Sequence, residues 1–163
     1  MIVLPPKDDG VGAEVRLLLA ECRNPSGSGY TLADATESFQ LMDRVLFNRL
    51  ANPAPFGAKG ATTVGDIIRA PGQFAGFEKY PNYDAAVVNR IQAAVNIANA
   101  AKDKRHAAYA DFINAAIAVA QNPSIKDPSA GTLAFWRTAL SSGPGAGAKL
   151  YKTILGNDFY FIP

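Results

Sequence analysis

Carboxylates are the side chains in this sequence best placed to do chemistry, and Glu21 stands first among them. It lies in Glu14-Val15-Arg16-Leu17-Leu18-Leu19-Ala20-Glu21-Cys22-Arg23, a stretch otherwise dominated by apolar residues. On a helix, Leu17 and Leu18 share its face. A carboxylate leaning on leucines loses hydration, which disfavours the charged form and raises its pKa. A carboxyl still partly protonated near neutral pH is what a general acid needs. The plainer alternative is the polar edge of an amphipathic helix near its C-terminus, where most glutamates are solvated.

Other chemistries lack their residues. Cys22 is the only cysteine, so no internal disulfide forms and the redox compartment is unconstrained. His106 is the only histidine, and one Cys with one His gives no plausible zinc site. His106 falls in the charged link Lys102-Asp103-Lys104-Arg105-His106, a poor setting for a catalytic base. Cys22 reads as a small buried hydrophobe. Gly143-Pro144-Gly145-Ala146-Gly147 lacks the strand, helix and Lys-Ser/Thr ending of a phosphate loop and reads as a turn or loop. No metal or cofactor is expected. Carboxylates, amides, hydroxyls and aromatics remain.

The chain has 163 residues, enough for one domain with a good core, and a single domain over 1–163 is expected. Hydrophobic residues are 48% and charged residues 18%, which is ordinary for a globular protein. A net charge of +2 permits attraction to an acidic polymer without requiring it. No basic cluster or aromatic platform motif points to nucleic acid. No apolar run approaches a membrane span, so no membrane partner is expected. The start, Met1 to Gly10, carries no basic n-region with an apolar h-region.

Helical periodicity dominates the elements that must position Glu21. Helices are expected from Gly12 to Arg23 and from Asp34 to Ala51, then a short one from Thr63 to Ala70. Two more follow, from Asp84 to Ala101 and from Ala107 to Gln121. Turn residues place loops at Asn24–Gly29, Asn52–Gly60 and between Pro123 and Pro128. The tail holds Leu133–Leu140, a Gly-rich loop and Phe159-Tyr160-Phe161, with few strong strand signals. The expected fold class is therefore mainly α, a single helical domain with little β.

Five short motifs follow Glu21 in order: Glu21-Cys22-Arg23, Asn48-Arg49, Gly72-Gln73-Phe74, Gly131 to Trp136, and Gly156 to Tyr160. Their order and spacing resemble the cell-wall hydrolase family that includes spore-cortex-lytic enzymes. The resemblance covers nearly the whole chain, although each motif alone is weak. The chain departs from the family pattern at Pro25, where a second Glu is common. The stretch from Phe74 to the tail has no residue-by-residue match.

The resemblance implies a lysozyme-like domain that cleaves the glycan strands of peptidoglycan, with Glu21 as the acid that protonates the leaving oxygen. Gln73 would hydrogen-bond the substrate acetamido group, and Arg49 would meet a peptide-stem or lactyl carboxylate. Phe74, Phe77, Tyr80 and Tyr83 offer faces for sugar rings, or pack as core. Phe135, Trp136, Phe159 and Tyr160 read as core, with the Tyr160 hydroxyl able to reach the site. Glu37, Asp34 and Asp43 are candidates for a second carboxylate, though each reads more readily as a solvated helix charge. The sugar's own hydroxyl or acetamido group offers a route without one. The chain also looks like the compact glycoside hydrolase effectors of type VI secretion. That setting implies action in a target cell's periplasm and an immunity protein plugging the cleft. Lytic transglycosylase action and non-catalytic glycan binding are the alternatives.

Overall fold

A computed structural model describes residues 1–122, 126–139, 142–145 and 147–163. Pro123, Leu140 and Ala146, named in the sequence reading, lie outside the described residues.

The first helix, α1 (Gly10–Glu21), is apolar on nearly every side and is accordingly buried from Gly12 to Ala20. Asp9 caps it by accepting from the Gly12 amide. Gly12 is required by a close approach: a Cβ there would stand 1.7 Å from the Pro6 carbonyl oxygen. The second helix, α2 (Leu32–Ala51), starts at Thr31, whose hydroxyl accepts from the Asp34 amide. The short α3 (Val64–Arg69) opens with a reciprocal capping box between Thr63 and Asp66. Helices α4 (Ala85–Asn99) and α5 (His106–Gln121) complete the helical layer. All four outer helices pack on α1. The buried apolar residues, from Ala13 to Phe159, form one cluster. No helix among the described residues is long and apolar enough to cross a membrane.

The mainly α expectation is corrected by the tail, which is a three-stranded antiparallel sheet in the order β1-β3-β2. Its strands are β1 (Thr132–Thr138), β2 (Lys149–Ile154) and β3 (Asn157–Ile162). Helices take 46% of the described residues and strands 12%, so this is a mixed domain of helices and one sheet. The lysozyme-like helical domain with little β is not what forms. Physically, each strand is short and aromatic or β-branched, and its hydrogen bonds come from residues distant in sequence. A register shift between Leu133 and Phe135 breaks the alternation that would have marked β1. The β2–β3 hairpin turns through Leu155 (φ 47°) and Gly156 (φ 83°), the positive pair a tight two-residue loop needs.

Candidate active site

Glu21 ends α1 where that helix meets the sheet. The Asn157 side-chain amide donates to the Glu21 carbonyl at 3.0 Å and ties the helix end to the β2–β3 hairpin. The Trp136 indole N–H points to the Glu21 carboxylate, Nε1 to Oε2 3.4 Å. Burial pushes the Glu21 pKa upward, opposed by that indole contact and by the positive charge of Arg90. Its carboxyl is therefore poised toward its protonated form yet remains open to a cleft.

That cleft has a volume of about 520 Å³ and is lined by Glu21, Arg49, Phe56, Gln73, Phe135, Trp136 and their neighbours. Gln73 is presented by Ala70-Pro71-Gly72-Gln73, closed by the Gln73 amide donating to the Ala70 carbonyl at 3.2 Å. Proline followed by a glycine at φ 71° is the arrangement of a type II turn, which explains the glycine before Gln73. A second, smaller hollow of about 340 Å³ also borders Glu21. Its lining includes Arg23, Asn24, Gly27, Arg90, Gly156 and Asn157. Glu21 and Thr138 line both.

Asn48 and Arg49, at the end of α2, clamp the sheet onto that helix. The Asn48 amide donates to the Leu133 carbonyl at 2.8 Å and to Asp127 Oδ2 at 2.6 Å. Arg49 Nε donates to the Ala134 carbonyl at 2.9 Å, and Nη1 to Gln73 Oε1 at 2.8 Å. Its guanidinium lies within 5.0–5.9 Å of four ring centres, those of Phe56, Phe74, Phe135 and Trp136. Burial lowers its pKa to about 10, which still leaves it charged at neutral pH. Arg49 thus holds Gln73 in orientation as well as lining the cleft, and Gln73 keeps its NH2 donors for a ligand.

The remaining expected site residues divide. Phe74 is buried and stacks on Trp136 with ring centres 4.9 Å apart, so it backs the cleft wall. Tyr80 is buried in a stack with Phe77 and Tyr83 and borders a separate hollow with Lys7 and Asp66. Tyr160 lies against Gly143 and lines neither hollow at Glu21. Neither expected second carboxylate reaches Glu21's clefts. Glu37 is half-exposed and pairs with Lys152 at 2.6 Å. Asp43 is buried against Glu14 and opens onto a groove between α2 and α5. Asp34 sits in the first turn of α2. Among the described residues Glu21 is the only carboxylate lining either hollow, against four arginines: Arg49, Arg137, Arg23 and Arg90. No group of three or more His, Cys, Asp or Glu among the described residues is arranged to hold a metal ion.

Sequence reasoning passed over Phe56, Arg90 and Thr138, and took Trp136 and Phe135 for core. Arg90 carried no local signal, because an exposed arginine on α4 looks like any solvated charge. Trp136 is both, buried on the sheet and in contact with the acid. Trp136→Phe keeps the ring stack but removes the N–H that favours the charged carboxylate. The Glu21 pKa then rises further, so the alkaline limb of a pH–rate profile moves to higher pH. An alkaline limb that stays put, measured over pH 5–9, would show the indole contact to be inconsequential.

No family model matches the chain, and no curated protein or solved structure matches it either.

Proposed function

We propose that this protein is a glycoside hydrolase that cleaves the GlcNAc–MurNAc backbone of peptidoglycan, with Glu21 as general acid. The observation that carries the reading is the position of Glu21: a carboxyl of raised pKa at the junction of two open hollows. A polymer running from one hollow into the other would present a backbone bond to that carboxyl. The ordered motifs that resemble the cell-wall hydrolases point the same way. The aromatic edge of Phe135 and Phe56 and the oriented Gln73 amide are suited to sugar rings and an acetamido group. The cationic lining suits a glycan that carries carboxylates.

In this chemistry the Glu21 carboxyl gives its proton to the glycosidic oxygen as the C1–O bond breaks. With no second carboxylate lining the clefts among the described residues, the substrate's acetamido oxygen supplies the electron pair to C1. Glu21, now ionised, accepts the proton of the water that opens the intermediate. Attack by the sugar's own hydroxyl in place of water is the lytic transglycosylase outcome, which the same single-acid site supports.

Digestion of purified peptidoglycan followed by mass analysis tests the proposal. New reducing ends identify a hydrolase, and the reducing-end sugar separates muramidase from glucosaminidase. Anhydro ends identify a transglycosylase. Intact glycan strands after treatment with wild type would overturn the enzymatic reading and favour a glycan-binding domain. As an antibacterial effector in a target cell's periplasm, the protein would be neutralised by an immunity protein seated over Glu21. A small exported protein encoded by the neighbouring gene that blocks digestion in vitro checks that setting.

A further inference from the structure

The smaller hollow holds its arginine in an unusual way. The Arg23 side chain threads between two glycines: a Cβ on Gly27 would stand 2.3 Å from its Cγ, and one on Gly156 would stand 2.7 Å from its Nη2. The Ser28 carbonyl accepts from Nη1 at 2.7 Å and fixes the head. Two positions without a side chain and a carbonyl thus orient an exposed guanidinium. Long cationic side chains are otherwise costly to order. Yet no carboxylate among the described residues forms an ion pair with Arg23 or with Arg90, which borders the same hollow. Arg90 does act electrostatically on Glu21. The hollow's polar wall is completed by Asn24 and Thr138. A preset guanidinium fork without an acidic partner is the arrangement that takes a carboxylate in parallel hydrogen bonds through its remaining N–H groups.

We infer that this hollow is a carboxylate subsite, in which Arg23 and Arg90 receive the carboxylate of a muramyl unit, either on its stem peptide or on its bare lactyl group. The inference deepens the glycosidase reading and rests on it. A muramyl unit is the sugar of the repeat that bears an acid, and its partner sugar is neutral. Anchoring the acid beside Glu21 sets the register of the strand, so that the same one of the two alternating bonds always meets the carboxyl. The neutral sugar then takes the larger cleft, with its aromatic edge and Gln73. Arg49 has no part in this contact, since its guanidinium is enclosed by four rings and committed to Ala134 and Gln73.

Equilibrium binding tests the subsite without depending on turnover. The Glu21→Gln protein is titrated with three soluble ligands: stem-bearing strands, strands stripped of stems by an amidase, and neutral N-acetylglucosamine oligomers. Arg23→Gln and Arg90→Gln, each added to that background, are expected to lower the preference for acidic over neutral strands by about fivefold, the scale of an exposed ion pair. The preference also shrinks as salt is raised. Loss confined to stem-bearing strands assigns the contact to the stem peptide; loss on stripped strands assigns it to the lactyl carboxylate. An unchanged preference in both variants, or equal weakening on the neutral oligomer, overturns the subsite. Arg90→Gln leaves the Gly27–Gly156 cradle untouched, so a folding defect in the Arg23 variant does not decide the matter. Failure of wild type to cleave peptidoglycan would remove the glycosidase reading while these binding ratios still judged the subsite.

Discussion

Glu21→Gln is expected to lower glycan cleavage by about 10²- to 10⁴-fold, the range a positioned general acid supplies. The amide keeps the shape of the side chain and can still accept from the Trp136 indole, but it has no acidic proton to give. The same substitution is expected to leave the melting temperature unchanged or to raise it. Burial penalises the ionised carboxylate, and an amide carries no such penalty. This opposition is what separates a catalytic role from a structural one, because a residue kept for stability loses both together. Rates of release of soluble fragments, measured beside calorimetric melts, provide the check. A variant retaining more than about half of the wild-type rate would sink the assignment of Glu21 as the acid.

The second large effect concerns stability rather than turnover. Glu14 on α1 and Asp43 on α2 are both buried, and their carboxyls lie against each other. Oε1 of Glu14 and Oδ1 of Asp43 have no hydrogen-bond partner. Burial raises both pKa values, Glu14 above all, whose pKa is pushed further by the Asp43 charge. The contact favours ionised Asp43 and protonated Glu14, so the pair holds one proton between them. The folded protein then binds more protons than the unfolded chain from the ordinary carboxyl pKa upward. Stability contributed by this pair is complete below that pKa and falls as pH rises toward the raised one, opposite to an ion-paired carboxylate. The slope is at most about 1.4 kcal/mol per pH unit for one proton, or roughly 3–5 °C per unit for a chain of this size. Melting temperature should therefore decline between pH 5 and pH 9, and Glu14→Gln, which needs no proton to donate to Asp43, should flatten the decline. Equal slopes in wild type and variant would refute the shared proton.

The pair also shows why one sequence-based candidate failed. Asp43 reads as a helix carboxylate available to serve Glu21, because its position on α2 is all that the sequence displays. Its partner, Glu14, lies 29 residues earlier, on the far side of the loop between the two helices. Only the packing of α1 against α2 turns Asp43 toward Glu14 and away from the cleft. Glu37 fails for the same reason, since the lysine that claims it, Lys152, belongs to a strand formed far along the chain.

Elements governed by neighbours along the chain were legible from the residues. All five α-helices among the described residues lie where periodicity and breakers put them, with ends shifted by one or two residues where capping side chains decide: Asp9 starts α1 before Gly12, and Thr31 starts α2 before Asp34. Glu21 at the end of a leucine-rich helix and Gln73 in a Pro-Gly turn follow from such local rules. The strands do not. Thr132–Thr138 becomes a strand because it pairs with Asn157–Ile162, and its own alternation is broken by a bulge.

Local sequence was enough to put Glu21 at the end of a leucine-rich helix and Gln73 in a Pro-Gly turn. The company Glu21 keeps comes from the folded chain alone. The sheet brings Trp136 to its carboxylate, α4 brings Arg90 within electrostatic reach, and the hairpin glycine leaves room for Arg23. The physical reason is range. Helix periodicity, capping and turn geometry are settled within a few residues, whereas desolvation, charge pairing and strand registry depend on segments that meet only when the chain has folded.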